Sequence, residues 1–459
     1  MTSHQVEESS QIDLDEKRRA ALAEIDNAKF GWFHIRTIVV TGVGFFTDAY
    51  DLFAINFVTA MLGYVYYSSA KNTLPTNLEL GIKISAQCGT FVGQLLFGWL
   101  GDLWGRKRMY GIELMIMIIA TLGSALSAES FAVSVSGVLI LWRVILGVGI
   151  GGDYPMSAVI SSEFANRKRR GAMIGAVFAM QGFATDIAVV LGKKKQEDRE
   201  IIEEGENIPD VEAPKHSWQD FKEYFGKWEN GKILLGTSLS WFLLDIAFYG
   251  IGLNNSIILT NIGYAKSSDP FKSLWNISIG NILIAVLGTV PGYWFTVFLV
   301  DVWGRKPIQF MGFGVLTVLF LILGVAYKKI LDTSTALFIV IFALCQFFQN
   351  FGPNTTTFII PGEVFPTRYR STGHGISAAS GKLGAIISQV GFLRLKDIGG
   401  KDAYVDKVII IFAPIMFLGV LTTFLIPETK DRSLEDLSNE KQVGFVSTKR
   451  KSSTNEKKV

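Results

Sequence analysis

Cysteine and charge are both scarce in this chain, and each shortage excludes a class of protein. Only two cysteines occur in the 459 residues, Cys88 and Cys345, and both lie in apolar runs, so we expect small buried side chains and no disulfide framework. Charged residues make up 19% and hydrophobic residues 49%, which is too apolar for an ordinary soluble enzyme. The net charge of +3 gives no reason to expect a nucleic-acid partner. The polar N-terminus lacks the apolar run of a cleaved signal peptide.

Apolar runs of membrane-spanning length recur along the chain. A helix needs roughly 20 mostly apolar residues to cross a bilayer, and about eleven runs meet this requirement. They cover residues 36–68, 81–101, 109–128, 134–164, 171–192, 232–261, 273–301, 308–327, 335–363, 371–395 and 405–426. We therefore expect an all-α protein that lies in a lipid bilayer.

The loops between these runs are sorted by charge. The strongly basic segments are 105–108 (GRKR), 166–170 (NRKRR), 304–307 (GRKP) and 367–370 (TRYR). The loops that alternate with them are weakly charged or balanced. Because loops rich in Lys and Arg stay in the cytosol, we expect these segments and both termini on the cytosolic side.

One motif, Asp-x-Trp-Gly-Arg-Lys, occurs twice, at 102–107 and at 301–306. The two copies are 199 residues apart, and a second pair, Glu163 and Glu363, is 200 residues apart. Two motifs with nearly the same offset indicate two equivalent halves, as in many transporters. The Asp can pair with the basic residues or accept amides of a helix N-terminus. The motif is either a topology signal alone or also a gate that holds two helices in one state. Its residues are Asp102, Arg106, Asp301, Arg305, Glu163 and Glu363.

Several carboxyl groups stand inside the predicted spans, where ionisable groups are costly and usually functional. Asp48 and Asp51 lie at i and i+3 on one helix face, which suits either proton pick-up or a structural pair. Asp153 stands in mid-span beside glycines and a proline, where it either carries protons or forms a polar contact between helices. Glu113 lies early in the third span, on a proton path or in a structural bond.

A second group of polar side chains falls in the second half. Trp241, Asp245 and Tyr249 are spaced i, i+4 and i+8, so two donors bracket a carboxylate on one helix face, or the three form a polar seam. Lys382 is a lone cation among small residues and needs an anion or a carboxylate nearby, unless it snorkels to a surface. Asn354 offers an amide that can donate to an oxyanion.

These motifs resemble known transporters. The two motif copies, the segment PETKDRSLEDL (427–437) and LWRVILGVGIGGDYP with Arg143 resemble the major facilitator superfamily. The stretches GGDYPMSAVISSE (151–163), QNFGPNTTTFIIPGEVFPTRYRST (349–372) and GHGISAASGKLGAI (373–386) are similar to the fungal and plant phosphate:proton symporter family, nearest to fungal high-affinity members.

The resemblance implies a major facilitator fold of two pseudo-symmetric helix bundles and proton-coupled import of inorganic phosphate across the plasma membrane by alternating access. No enzymatic step, cofactor or metal is implied, and the oligomeric state stays open. Monobasic phosphate carries hydroxyl protons that a carboxylate can accept, so Asp245 would select phosphate over sulfate. The implied residues for phosphate are Tyr154, Gln181, Trp241, Asp245, Tyr249, Asn354 and Lys382. Those implied for the proton path are Asp48, Asp51, Asp153 and Glu113, and Arg143 joins the gating motif.

The resemblance breaks at the sixth span. The repeat places that span at about 205–226, where the polar sequence GENIPDVEAPKHSWQDFKEYFG cannot enter lipid. We expect a cytosolic N-terminal tail, an N-terminal bundle, a cytosolic linker, a C-terminal bundle and a cytosolic C-terminal tail, at 1–30, 31–192, 193–231, 232–426 and 427–459. Two alternatives stay open: a sugar or organic-ion symporter of the same fold, and a phosphate-sensing receptor or non-transporting homologue, which the missing span favours.

Overall fold

The computed structural model describes residues 28–67, 74–129, 134–191 and 217–437, and side chains within them except at 185–191 and 435. All regular structure in these ranges is helical. The helices of the first half are α1 Trp32–Tyr66, α2 Thr76–Trp104, α3 Arg106–Ala125, α4 Val135–Glu163 and α5 Arg170–Leu191. A short helix α6, Trp218–Phe225, precedes the second half. The helices that follow are α7 Trp228–Gly252, α8 Asn255–Asn261, α9 Pro270–Ile284, α10 Val290–Trp303, α11 Arg305–Val325, α12 Tyr327–Thr333, α13 Thr335–Asn350, α14 Pro353–Val364, α15 Arg370–Leu395, α16 Val405–Thr423 and α17 Leu434–Leu437.

The predicted all-α membrane architecture is confirmed. Within the described ranges, nine helical segments are long and apolar enough to cross a bilayer, and α2 and α5 also have the length of a span. Two spans are interrupted. A π-helical turn, Ala285–Thr289, joins α9 to α10. Between α13 and α14 the helix breaks at Gly352 because Pro353 has no amide to continue it.

The two motif copies and the other basic segments lie at one end of the bundle, which we call the basic end. Arg106 contacts the carbonyl of Thr367 there, and Arg167 binds the carbonyl of Asp431. The first described residues reach the same end, where Asn166 donates to the carbonyl of Ala28.

Each half packs closely, and the halves meet along equivalent helices. α2 packs on α4 and α15 packs on α7, while α2 meets α15 and α5 meets α10 across the two halves. Glycines at the contacts allow this approach. A Cβ on Gly147 would lie 2.1 Å from the Ala86 carbonyl oxygen, and one on Gly375 would lie 2.3 Å from that of Gln94. Backbones can approach this closely only where small residues stand at the contact.

The region of the predicted missing span is described only in part. Residues 205–216 lie outside the described ranges, and 218–225 form the short helix α6. α5 begins at the basic end and leads away from it, whereas α7 begins at the basic end, where its Gly236 lies against Leu425. In the second half α16 covers α11 and α7, and no helix of the described chain does the same for the equivalent α3 and α1. Met115, Ile118 and Leu122 of α3 are exposed. α7 starts at Trp228, inside the range assigned to the linker, because its first turn is too polar to be recognised as part of a span.

Candidate functional site

A buried ion pair lies at the centre of the bundle, between α7 and α15. Lys382 Nζ is 3.2 Å from Asp245 Oδ2 and donates to the Tyr249 hydroxyl at 2.7 Å. Both charged side chains are 1% exposed. Because Asp245 and Tyr249 are four residues apart on α7, both reach the same cation. The sequence analysis expected an anion or a carboxylate near Lys382, and Asp245 is such a carboxylate.

Aromatic rings enclose this pair from both halves. The Lys382 ammonium lies 4.3 Å from the ring centre of Tyr249 and 4.9 Å from that of Tyr154, which projects from α4. Such cation–π contacts stabilise a desolvated ammonium. Trp241 lies beside Gly381, where an added Cβ would be 2.5 Å from its Cδ1 and 2.9 Å from Asp245 Oδ2. The pair is thus held in a tight cage to which both halves contribute.

Asn354 belongs to a second polar group beside the cage. Its amide donates to the Tyr293 hydroxyl at 2.8 Å and to Asn350 Oδ1 at 2.7 Å. Tyr293 is fully buried and close enough to Tyr154 and Asp245 to interact with them electrostatically. Gln181 is buried on α5, and the next residue of that helix, Gly182, lies against the Tyr293 ring. The sequence analysis missed Tyr293 and Asn350, because a tyrosine in the apolar run GYWFTV carries no signal of its own.

Three carboxyl groups form a separate buried cluster in the first half. Asp48, Glu113 and Asp153 are each at most 1% exposed, and Asp48 and Asp153 face one another. Ser157 donates to Asp153 at 2.5 Å and Asp48 is within hydrogen-bonding reach of Asp153, whereas the oxygens of Glu113 have no hydrogen-bond partner in the described chain, and no Lys or Arg pairs with the cluster there. A buried carboxylate without a cationic partner is costly, which makes this cluster the candidate for the predicted proton path.

Asp51 and Arg143 lie apart from their predicted groups. Asp51 accepts from Thr121 at 3.2 Å and does not join the cluster of Asp48. Arg143 donates to the backbone carbonyl of Asp51 at 3.3 Å, about two turns from the start of α4, which lies away from the basic end. It lies far from the gating motif with which the sequence analysis grouped it, because it stands about 20 residues before Glu163 on the same helix and a helix rises 1.5 Å per residue.

The two motif aspartates each cap a helix of the other half. Asp102 accepts the amides of Ser371 and Thr372 at 3.2 and 2.7 Å, at the N-terminus of α15. Asp301 accepts the amides of Gly171 and Ala172 at 3.2 and 2.8 Å, at the N-terminus of α5. A carboxylate at a helix N-terminus satisfies free amides and complements the helix dipole. The repeated motif therefore ties the halves together at the basic end.

The arginines of the motif add ion pairs to these caps. Arg305 lies 2.9 Å from Asp301 and binds both oxygens of Glu363, at 2.7 and 3.0 Å. Arg106 is 3.3 Å from Asp102 and 3.4 Å from Glu163. Glu163 also accepts from Arg370 of the other half at 2.9 Å. The six motif residues thus form two equivalent networks that close the basic end.

A cavity of about 790 Å³, which we call the vestibule, opens at the end away from the basic segments. It is lined by residues of both halves, among them Asn56, Lys83 and Lys396. Phe53 stacks on Tyr249 at 6.0 Å between ring centres, in the layer between the vestibule and Lys382. The central ion pair is therefore closed off from both ends of the bundle.

Comparisons with known proteins agree with this architecture. The model of the family described as sugar (and other) transporter matches residues 37–194 and 179–440, in two pieces that meet near the predicted break. A repressible high-affinity phosphate permease of Neurospora crassa is 44% identical over 93% of this chain and 90% of its own length. Inorganic phosphate transporter PHO84 of Saccharomyces cerevisiae is 42% identical over 92% of this chain and 87% of its own length.

The plant relatives and the solved structures extend this likeness. Inorganic phosphate transporter 1-4 of Arabidopsis thaliana is 38% identical over 92% of this chain and 96% of its own length. The proton:xylose symporter XylE has the same fold, with a TM-score of 0.63 at 17% identity over 89% of this chain and 99% of its own. The alignment with the Neurospora permease extends over 518 positions, more than the 459 residues here, so that relative carries residues that this chain lacks.

Proposed function

The chain belongs to the sugar (and other) transporter family of the major facilitator superfamily, and from this premise we propose that it imports inorganic phosphate together with protons by alternating access. The relatives named above are phosphate transporters. We place the protein in the plasma membrane with its basic end in the cytosol, and assign it no covalent chemistry.

The observation that carries the proposal is the caged pair of Lys382 and Asp245. Lys382 supplies the positive charge that an oxyanion needs, and Tyr154, Tyr249 and Asn354 supply hydrogen-bond donors around it. Asp245 can accept a hydrogen bond from the hydroxyl of monobasic phosphate, which sulfate lacks at neutral pH. A neutral sugar has no use for a buried ammonium, so the pair favours an anion as substrate.

Proton coupling rests on the carboxyl cluster of the first half. Asp153 is adjacent in sequence to Tyr154, whose ring contacts the Lys382 ammonium. The protons that Asp48, Glu113 and Asp153 hold in the closed conformation are lost when water reaches the cluster. Substrate binding and proton binding are then linked through α4 and Asp245, so that proton release accompanies opening to the cytosol.

The two ends of the bundle supply the gates. The Asp102 and Asp301 caps hold the cytosolic end shut while the vestibule marks the path from the opposite side. When these caps break, the amides of α15 and α5 become free for water, and the halves can separate at the basic end. Alternating access then consists of exchanging these contacts for contacts at the vestibule.

Calorimetry of phosphate and sulfate binding tests the site. Asp245→Asn should lower phosphate affinity by about ten- to a hundredfold, since a charge-assisted hydrogen bond contributes about 1.5–3 kcal/mol. Sulfate affinity should not fall, because sulfate does not use that acceptor. Equal losses for both anions, or wild-type phosphate affinity in this variant, would refute the assignment.

A second candidate is a phosphate receptor that binds without transporting. The faces of α3 and α1 that no helix of the described residues covers favour it, since α16 covers the equivalent helices of the other half. Radiolabelled phosphate uptake into proteoliposomes separates the two: a receptor binds phosphate in calorimetry yet moves none.

A further inference from the structure

Lys83 is a buried cation at the bottom of the vestibule to which none of the roles above assigns a function. It stands on α2 two turns from the helix start, and its side chain is 3% exposed. Its Nζ lies 2.7 Å from Glu79 and donates to Asn254 Oδ1 at 3.0 Å, which joins the first half to the second. An ammonium has three N–H donors, and the third has no acceptor among the described residues.

The surroundings of Lys83 suit an anion. The Ser256 hydroxyl, which lines the same cavity, is buried without a hydrogen-bond partner in the described chain. Lys396 is neutralised by the nearby Asp397 and Asp402. Lys266 and Lys401 also line the vestibule and form no salt bridge within the described ranges, so the wall carries an excess of positive charge.

Lys83 is also connected to the central cage. Asn254 donates to Gln389 Oε1 at 3.2 Å, and Gln389 donates to the carbonyl of Tyr249 at 2.6 Å. Gln389 lies two turns beyond Lys382 on α15. Two side chains, Asn254 and Gln389, therefore link the Lys83 amine by hydrogen bonds to the helices that hold the ion pair.

We propose that Lys83 is an outer binding site for the tetrahedral oxyanion, where phosphate arriving in the vestibule replaces Glu79 on the ammonium before it moves inward to Lys382. This inference rests on the proposed function and names a second stop on the same path. The incoming anion loosens the contact of Lys83 with Asn254, which is a bond between the halves. Occupancy of the outer site thus favours opening of the layer above the cage.

Three variants of one ion pair distinguish this role from a structural one. Lys83→Met should raise the KM for phosphate uptake about tenfold with little change in maximal rate, since a favourable charge is lost. Glu79→Gln should lower the KM, because it removes the competitor of the anion. Lys83→Arg should retain most of the affinity. If Lys83→Met and Glu79→Gln both raise the KM, the pair is structural and the proposal is wrong.

A protection experiment keeps this test independent of transport. Ala60 lines the vestibule, and Ala60→Cys in a Cys88→Ser background offers a thiol to a membrane-impermeant methanethiosulfonate. Inorganic phosphate should slow its modification, and Lys83→Met should abolish that protection while calorimetry still detects the central site. Equal protection by sulfate would indicate an unselective anion site, which would overturn the assignment to phosphate, and protection that persists in Lys83→Met would place the anion elsewhere. Protection without uptake would sustain the outer site and reject the transport proposal.

Discussion

Gly381 has no side chain, and this leaves room for Trp241 and Asp245 beside it. A single methyl group at this position should disturb the caged pair. A Cβ at this position would lie 2.5 Å from Trp241 Cδ1 and 2.9 Å from Asp245 Oδ2, whereas ordinary contact begins at 3.4 Å. Neither neighbour can turn away, because both side chains are 1% exposed. The indole must therefore shift by roughly 1 Å, and overpacking of this kind costs about 1–3 kcal/mol.

The same α15 helix provides a matched control. Gly391 has no atom within 4 Å of an added Cβ, so Gly391→Ala tests the helix without touching the cage. We expect Gly381→Ala to lower phosphate affinity by roughly five- to a hundredfold in calorimetry, and Gly391→Ala to leave it unchanged. Equal affinities for the two variants would show that the cage does not bind phosphate in the arrangement described.

Three further predictions concern charge and backbone. Lys382→Met should cost about 3–5 kcal/mol of stability in thermal unfolding because it leaves Asp245 unpaired, whereas the double variant Asp245→Leu/Lys382→Met should recover that stability and still bind no phosphate; a double variant that binds would contradict the site. Gly304→Ala should destabilise the protein more than Gly105→Ala. The backbone strain is similar, since φ is 99° at Gly304 and 92° at Gly105, but only at Gly304 would the Cβ lie 2.6 Å from a carboxylate oxygen; similar unfolding temperatures would refute this. Asp48→Asn should keep phosphate affinity and slow proton-driven uptake by about a hundredfold, and unaltered uptake would remove Asp48 from the proton path.

The spans and the two-fold repeat could be predicted because they depend on local composition. Length and apolarity mark a span whatever its neighbours are, and a constant offset between motif copies reveals equivalent halves. The capping role of Asp102 was foreseen as one of two possibilities, and the structure has both, an arginine partner and helix amides. Its partner helix could not be foreseen, because contacts between halves are not encoded in spacing along one helix.

The polar residues were harder to place for the same reason. Asp245, Tyr249 and Lys382 can be recognised in the sequence as polar groups in apolar runs. In the structure Lys382 donates hydrogen bonds to the other two. Lys83 is likewise a polar group in an apolar run, but the sequence analysis used the run 81–101 only as evidence of a span. Asp51 was paired with Asp48 on helix spacing alone, yet its hydrogen bond goes to Thr121 of α3.

Accumulation of phosphate against its own gradient tests the central claim most directly. Proteoliposomes containing the full chain are supplied with radiolabelled phosphate under a pH difference of about one unit, acid outside. The account predicts an internal concentration above the external one, up to about tenfold for each coupled proton, and its collapse on adding a protonophore. Phosphate that only equilibrates across the membrane, or uptake that is indifferent to the protonophore, would contradict proton-coupled import.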